Sequence, residues 1–197
     1  MSQGKRELQR RIAYETARIM TEYRTDDINH ACHKAAAKLG VSHRQQMPTR
    51  EEIDEALREQ QRLVRGDAQQ QTLNRLRRSA LEAMRALRQF NPTLVGSVFQ
   101  GTADTNSRVQ LHLHASTPED VLFALADLKI PWQEGQRTLN FSNGRRQEIP
   151  SFQFTADGVG FELLVFSSER PHIRPLDPLD NQPIQGATLK QMDSLLT

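Results

Sequence analysis

The chain has 197 residues, of which 37% are apolar and 25% charged, a composition typical of a globular protein with a modest core. No apolar run approaches the roughly 18 residues that a membrane span needs, and the N-terminus lacks the apolar segment of a signal peptide. Cys32 is the single cysteine, which excludes an internal disulfide framework and a cysteine-ligated zinc centre. We therefore expect a cytoplasmic protein without membrane contact.

The net charge is only +2, but it is unevenly distributed along the chain. Residues 1–90 hold 18 Lys and Arg against 12 Asp and Glu, whereas residues 91–197 hold 8 against 12. Two interpretations stay open: the basic half contacts RNA or an acidic partner, or its arginines form a solvated helix face. No basic run is interleaved with aromatic residues in the way that a nucleic-acid platform requires.

Helical periodicity dominates the first ninety residues. It predicts four helices: one with Leu8, Ile12, Ile19 and Tyr23 on a single face, one that ends at Gly40, one from Thr49 to Gly66-Asp67, and one over 70–90 that ends at Asn91-Pro92. Thr49 and Glu52 have the spacing of a capping box. We assign residues 1–68 to an N-terminal helical region, which is the expected surface for a protein partner or for self-association.

After Pro92 the period changes from helical to extended. The pattern predicts strands over 94–99, 108–114, 136–142, 149–155 and 159–166, a helix that begins at Thr117, and a last helix over 187–196. Asn143-Gly144 and Asp157-Gly158 are hairpin turn signals. We assign residues 69–197, including a Pro-rich C-terminal tail, to a second domain. The predicted fold class is α+β: a helical region followed by a mixed sheet flanked by helices.

One segment of the second domain carries a motif. Gly96-Ser97 is followed by Gly101-Thr102 and then by the polar-edged strand Ser107-Arg108-Val109-Gln110-Leu111. In this order, and with its flanking helices, the region 70–166 resembles the nucleotidyltransferase superfamily, which has the polymerase-β-like fold. The resemblance implies a Gly-Ser turn that approaches nucleotide phosphates. It also implies two acids on the next strand and a third on a neighbouring strand, which together hold divalent ions.

The acids of that motif are largely missing. Arg108 and Gln110 stand at the two positions where the family has carboxylates, and Glu162 alone is placed like the third. One carboxylate cannot hold a pair of magnesium ions, and Arg108 would repel a cation. We therefore expect a catalytically degenerate member without a Mg²⁺ cofactor or a metal site, and we assign no catalytic residue.

The helical N-terminus and the "GTA…S…LHL" segment also resemble a group of proteobacterial proteins, some of them called UDP-N-acetylmuramate–alanine ligases. The chain lacks the GxxxxGK[ST] loop that cradles phosphates in P-loop proteins. We therefore draw no function from that name.

The candidate ligand-binding residues converge on one strand face. They are Gly96, Ser97, Arg108, Gln110, His112 and Glu162, with His114 on the same face. Arg108 is expected to bind a phosphate, and Gln110 a base or ribose, in a nucleotide or other anion. The rival interpretation is a solvated polar stripe. Glu162 lies in an apolar strand, so we expect it to face a wet cleft or to pair with a cation such as Arg108.

Three alternatives combine these residues differently or use residues elsewhere in the chain. An active transferase could have a rearranged metal site built from Glu162, the histidines and Asp104. His112 and His114 have a spacing that suits zinc on a strand, with Glu162 or His172 as a third ligand. An RNA-associated scaffold could use the basic helices, with Arg75, Arg77 and Arg78 as contacts.

Overall fold

The computed structural model describes residues 3–23, 25, 27–41, 47–169 and 174–196. The chain divides into two compact units. The first comprises Met1–Gln69 and Asp177–Asn181, and the second comprises Gln70–Leu176 and Gln182–Thr197. The fold is α+β with an N-terminal helical region, as predicted. Within the described ranges, no helix combines the length and the apolar character that a membrane span requires.

The first unit contains α1 (Gln3–Tyr23), α2 (Ile28–Lys38) and the beginning of α3 (Arg50–Ala86). Its buried core includes Ile12, Ala17, Ile19, Ala31, Cys32, Ala35, Ile53 and Leu57. Gly40 follows α2 with a left-handed φ of 71°, which is the conformation expected of a glycine after a helix. The capping box is confirmed, since the Thr49 N–H donates to Glu52 Oε2 at 2.8 Å and the Glu52 N–H to Thr49 Oγ1 at 3.2 Å.

The predicted helix end at Gly66-Asp67 is wrong. Helix α3 continues from Arg50 to Ala86 without interruption. A glycine costs a helix about 1 kcal/mol relative to alanine, which does not end it when strong helix formers continue on both sides. Gln, Arg, Leu and Ala fill most of the positions that follow Gly66 in α3.

The second unit contains a mixed sheet. Its strands are β1 (Thr93–Val95), β2 (Val109–Ala115), β3 (Gln133–Phe141), β4 (Arg146–Ala156), β5 (Val159–Ser167), β6 (Pro175–Leu176) and β7 (Gly186–Thr188). Their order is β6-β3-β4-β5-β2-β1-β7. Strands β2 and β5 are parallel, and the other named pairs are antiparallel. A 3-10 turn (Arg88–Phe90), α4 (Gly96–Gln100), α5 (Pro118–Asp127) and α6 (Leu189–Leu196) complete the elements.

The two faces of the sheet differ in what covers them. One face packs against α3, α5 and α6 in the main core, which includes Leu76, Met84, Leu111, Leu113, Val121, Leu125, Phe152, Leu163 and Met192. The other face carries a smaller apolar cluster of Phe141, Ile149, Leu164 and Phe166. Since side chains alternate along a strand, Arg108, Gln110, His112 and His114 lie on this second face.

The strand predicted over 94–99 is shorter than expected. Strand β1 ends at Val95, and the chain turns directly into the five-residue helix α4. Gly96 causes the change of direction, because its φ of 72° lies in the left-handed region that strands do not use. The predicted turns at Gly144 and Asp157-Gly158 are confirmed, and all three residues have positive φ.

Candidate functional site

Gly96 lies where β1 meets α4. A side chain at this position would collide with the side-chain amide of Gln110. The carbonyl of Ser97, the next residue, accepts hydrogen bonds from the backbone N–H groups of Gly101 and Thr102. Gly96 therefore makes room for the side chain of Gln110, which is one of the candidate ligand-binding residues.

A buried carboxylate, Glu162, lies at the centre of a polar network on the second face of the sheet. The register places Gln110 of β2 and Gln153 of β4 on either side of it. Gln110 Nε2 donates to Glu162 Oε2 at 3.0 Å, and Gln153 Nε2 donates to Oε1 at 3.3 Å. Arg137 of β3 donates to Oε1 from Nε at 2.8 Å and from Nη2 at 2.7 Å. The Glu162 side chain is only 3% exposed, so these partners offset the cost of burying its charge.

Arg108 reaches the same network from its outer end. Its Nη1 donates to Gln153 Oε1 at 2.8 Å, and the side chain itself is exposed. The side chain of Arg108 passes over Gly160. A Cβ added at Gly160 would lie 3.1 Å from Arg108 Cγ. In the part of the chain that the structure describes, no carboxylate forms an ion pair with Arg108.

Of the two expectations for Glu162, a wet cleft or a pair with a cation such as Arg108, the structure shows a pair with a cation, and that cation is Arg137 rather than Arg108. The cause is the register of the parallel ladder, which sets Gln110 rather than Arg108 opposite Glu162. Arg108 contacts Gln153 instead, one strand further along the sheet.

The two histidines of β2 belong to an aromatic cluster. His112 lies 4.8 Å from Phe166 and His114 lies 5.8 Å from the same ring, measured between centroids. Burial, with a smaller effect of His114, lowers the pKa of His112 to about 4. Burial also lowers the pKa of His114, against a hydrogen bond to the backbone of Asn91. Near neutral pH, His112 is therefore an uncharged packing residue, and no hydrogen bond joins it to Glu162 within the described ranges.

The alternative metal sites gain no support from the geometry. Among the described residues, no group of three His, Cys, Asp or Glu side chains could hold a metal ion. Asp104 Oδ1 accepts hydrogen bonds from the Asn106 N–H at 2.9 Å and the Ser107 hydroxyl at 3.2 Å, which stabilise its own loop. His172, the other zinc candidate, lies outside the described residues.

Two of the three arginines that could contact RNA have structural partners. Arg75 Nη2 donates to the carbonyl of Asp157 at 2.9 Å. Arg77 donates from Nε and Nη2 to the carbonyls of Val98 and Phe99, both at 3.2 Å, near the end of α4. Burial lowers the pKa of Arg77. These contacts favour a role in packing over a role as free phosphate contacts.

The first unit has a groove of about 410 Å³, lined by Glu7, Arg10, Arg11, Tyr14, Glu15, Arg18, Leu39 and Gln60. Hydrogen bonds from Arg18 and then from Lys38 lower the pKa of Glu15 to about 2. Arg18 also pairs with Glu22 at 2.7 Å. Arg18, one of the three arginines that line this groove, is therefore paired with acids of the same unit.

Arg137 and Gln153 were missed by sequence reasoning. A two-residue turn at Asp157-Gly158 pairs Ala156 with Val159 and, counting outwards, Gln153 with Glu162, as observed. That turn could have identified Gln153. The position of Arg137 could not be predicted in the same way, because β3 joins β4 through the other hairpin, at Asn143-Gly144.

No protein-family model matches the chain, and a search of curated proteins finds no match either.

Proposed function

We propose that the chain is a non-catalytic module that binds a nucleotide, or another phosphate-bearing anion, at the polar network without a metal ion. The charge balance of this network is the main observation in support. It contains two guanidinium groups, on Arg108 and Arg137, against the single carboxylate of Glu162. A surplus of positive charge at an accessible face favours an anionic ligand.

The donor set argues against nucleotidyl transfer with two metal ions. Magnesium in such sites is held by carboxylates and phosphates, and it keeps several of its waters. Both oxygens of Glu162 already accept hydrogen bonds, from Arg137, Gln153 and Gln110. At the two positions where the nucleotidyltransferase superfamily has its other carboxylates, this chain has the guanidinium of Arg108 and the amide of Gln110. Neither group can supply the negative charge that the ions require.

Arg108 is the residue we expect to contact a phosphate. A guanidinium has five N–H donors in a planar arrangement that suits two phosphate oxygens at once. In the described structure, one of these donors is hydrogen-bonded, and its acceptor is the neutral amide oxygen of Gln153. Phosphate binding therefore need not displace a carboxylate from Arg108.

Fewer residues are proposed to contact the bound anion than the sequence predicted. His112 is neutral near pH 7 and packs on Phe166, so the proposal assigns it no phosphate contact. Gln110 donates a hydrogen bond to Glu162, and its side-chain amide lies against Gly96. This amide therefore forms the wall of the proposed site beside the Gly96-Ser97 turn. We propose the cytoplasm as the compartment, since Cys32 is a free buried thiol and a reducing environment preserves it.

A thermal-shift screen tests the proposal. ATP, CTP, GTP, UTP and pyrophosphate are each added with excess EDTA and, separately, with magnesium. At least one nucleotide should raise the melting temperature in EDTA, because Arg108 binds phosphate oxygens directly. Arg108→Gln should abolish the rise.

Arg146→Gln is the matched control, since Arg146 is an exposed arginine in β4 of the same sheet. It should keep the shift. Stabilisation that requires magnesium would contradict the metal-free site. The absence of any shift with these ligands would contradict nucleotide binding itself.

A further inference from the structure

One edge of the sheet is open along most of strand β3. Strand β3 pairs with β4 over Gln133–Asn140 on its inner side. On its outer side it pairs with β6 at Asn140 and Phe141 alone. Among the described residues, the stretch 133–139 therefore has no strand beside it on that side.

The ladder shows which backbone groups point outwards. The Phe141 N–H donates to the Arg145 carbonyl at 2.9 Å, so these two residues form a hydrogen-bonded pair. Hydrogen-bonded and non-hydrogen-bonded pairs alternate in an antiparallel ladder. Asn140 is then a non-hydrogen-bonded partner of β4, which agrees with its pairing to Leu176 on the outer side. By the same alternation, the outward N–H and C=O groups of the open stretch belong to Glu134, Gln136 and Thr138.

These outward groups are accessible. Residues 133–138 are all exposed, and no backbone hydrogen bond joins Glu134, Gln136 or Thr138 to another described part of the chain. Proteins usually protect such an edge with prolines, lysines, bulges or charges. Residues 133–139 contain no proline or lysine, and their charged residues are the exposed Glu134 and Arg137, whose guanidinium is bonded to Glu162.

We propose that this open edge of β3 binds an extended peptide segment of a partner protein, which adds a strand in line with β6 and places an acidic side chain opposite Arg137. The chain already uses the same edge in this way, since Pro175 and Leu176 form its two-residue outer strand. An added peptide would continue that row where β6 ends. Main-chain hydrogen bonds supply affinity in this mode of recognition, and alternate side chains supply specificity.

The side chains along β3 define the chemistry of the peptide. Because Arg137 is a hydrogen-bonded partner of β4, it forms the closer, non-hydrogen-bonded kind of pair with a strand on its outer side. Its side chain is 54% exposed, so it can meet a carboxylate there. Two residues away on the same face, Leu139 is half-buried and offers an apolar neighbour. The expected segment therefore has an acidic residue and, two positions away, an apolar one.

Backbone hydrogen exchange of the full chain, followed by NMR, tests the proposal. In the free protein, amides that face β4 should exchange slowly and amides that face outwards should exchange fast. The slow set is Gly135, Arg137 and Leu139, and the fast set is Glu134, Gln136 and Thr138. A synthetic peptide that alternates valine and threonine around a central glutamate should slow the fast set at least about tenfold at saturation. Unchanged exchange of the fast set at millimolar peptide would overturn the proposal.

A backbone variant separates edge pairing from other binding. Gln136→Pro removes one outward N–H and leaves the bonds to β4, as is tolerated on an edge strand. It should weaken peptide binding about tenfold or more while Gly135 and Arg137 stay protected. Gln136→Thr keeps the N–H and should bind the peptide as the wild type does. Equal peptide binding by Gln136→Pro and Gln136→Thr would overturn the proposal.

The nature of the occupant is tested by charge and by concentration. A peptide with a central lysine should bind about five- to tenfold more weakly than the glutamate peptide, since it places a like charge opposite Arg137. Slowing of the fast set by raised protein concentration alone would show that a second copy occupies the edge, which would overturn the assignment to a partner peptide. Arg108→Gln should leave peptide binding intact, so this proposal and the nucleotide proposal fail independently.

Discussion

Strand β2 and the residue directly before it carry two pairs of polar residues on one face of the sheet, and the two pairs have different environments. Arg108 and Gln110 enter the network around Glu162. His112 and His114 pack against Phe166. An identical alternation along one strand thus produces a polar site at one end and an aromatic cluster at the other.

The difference comes from the neighbouring strand. Along β5, Glu162 lies opposite Gln110, whereas Leu164 and Phe166 lie opposite the two histidines. Alternating polar residues in a sequence indicate which face of the sheet their side chains occupy. The residue opposite each of them on the neighbouring strand decides whether that side chain stays charged and accessible. The comparison predicts different responses to substitution in the two halves.

The largest effect is expected in the aromatic half. Phe166 is 8% exposed and contacts both histidines and Phe141. Phe166→Ala removes a buried ring and should lower the free energy of unfolding by about 3–5 kcal/mol. Urea denaturation followed by circular dichroism measures this. A loss below about 1 kcal/mol would show that the cluster is not a packed core.

Gly96→Ala should be the next most damaging change, in the polar half. It forces a left-handed alanine and displaces the Gln110 amide from Glu162, for a combined cost of about 2–3 kcal/mol. In a Gln110→Ala background the collision is absent, and only the backbone strain of about 1–2 kcal/mol should remain. Equal costs of Gly96→Ala in the two backgrounds, measured by urea denaturation, would refute the contact between Gly96 and Gln110.

His112 should make stability depend on pH. Its pKa of about 4 in the folded protein lies below the value of about 6.5 expected after unfolding, so the unfolded state binds the proton more tightly. Stability is then complete above pH 6.5 and decreases as the pH falls towards 4, by about 2 kcal/mol between pH 7 and pH 5.

His112→Phe removes this titration and keeps a ring against Phe166. Between pH 7 and pH 5, the free energy of unfolding should therefore decrease by about 2 kcal/mol less in this variant than in the wild type. Every other titratable group is present in both proteins. Identical pH profiles of variant and wild type would contradict a buried neutral His112.

Arg137→Gln should have the smallest effect on stability. The guanidinium of Arg137 is half-exposed, so solvent screens its attraction to Glu162, and Gln110 and Gln153 still donate to the carboxylate. A loss of about 1 kcal/mol is expected, against less than about 0.5 kcal/mol for the control Arg146→Gln. Urea denaturation compares the two. A loss above about 3 kcal/mol would mean that the pair behaves as a fully buried one.

Local signals predicted much of the fold. Thr49 caps its helix as expected through reciprocal bonds with Glu52, and the Thr117 N–H donates to the carboxylate of Asp120 three residues later. The Asp157-Gly158 turn fixes the β4–β5 register. These features depend on residues that are close in sequence, where the chain's own chemistry restricts the backbone most strongly.

Longer-range features were not predictable in this way. The hairpin at Asn143-Gly144 signals a two-residue turn, but Phe141 bonds to Arg145 across a three-residue loop. That shift of one residue changes which β3 side chains share a face with Glu162, so the role of Arg137 was hidden. The burial of His112 likewise depends on Leu164 and Phe166, which are remote in sequence and adjacent only in the sheet.

Isothermal titration calorimetry with nucleoside triphosphates in excess EDTA tests the central claim most directly. The wild type and Arg146→Gln should bind at least one of ATP, CTP, GTP and UTP with the same affinity, and Arg108→Gln should bind it at least about tenfold more weakly. Binding that appears only when magnesium is restored, or that is unchanged in Arg108→Gln, would contradict a metal-free anion site at this face.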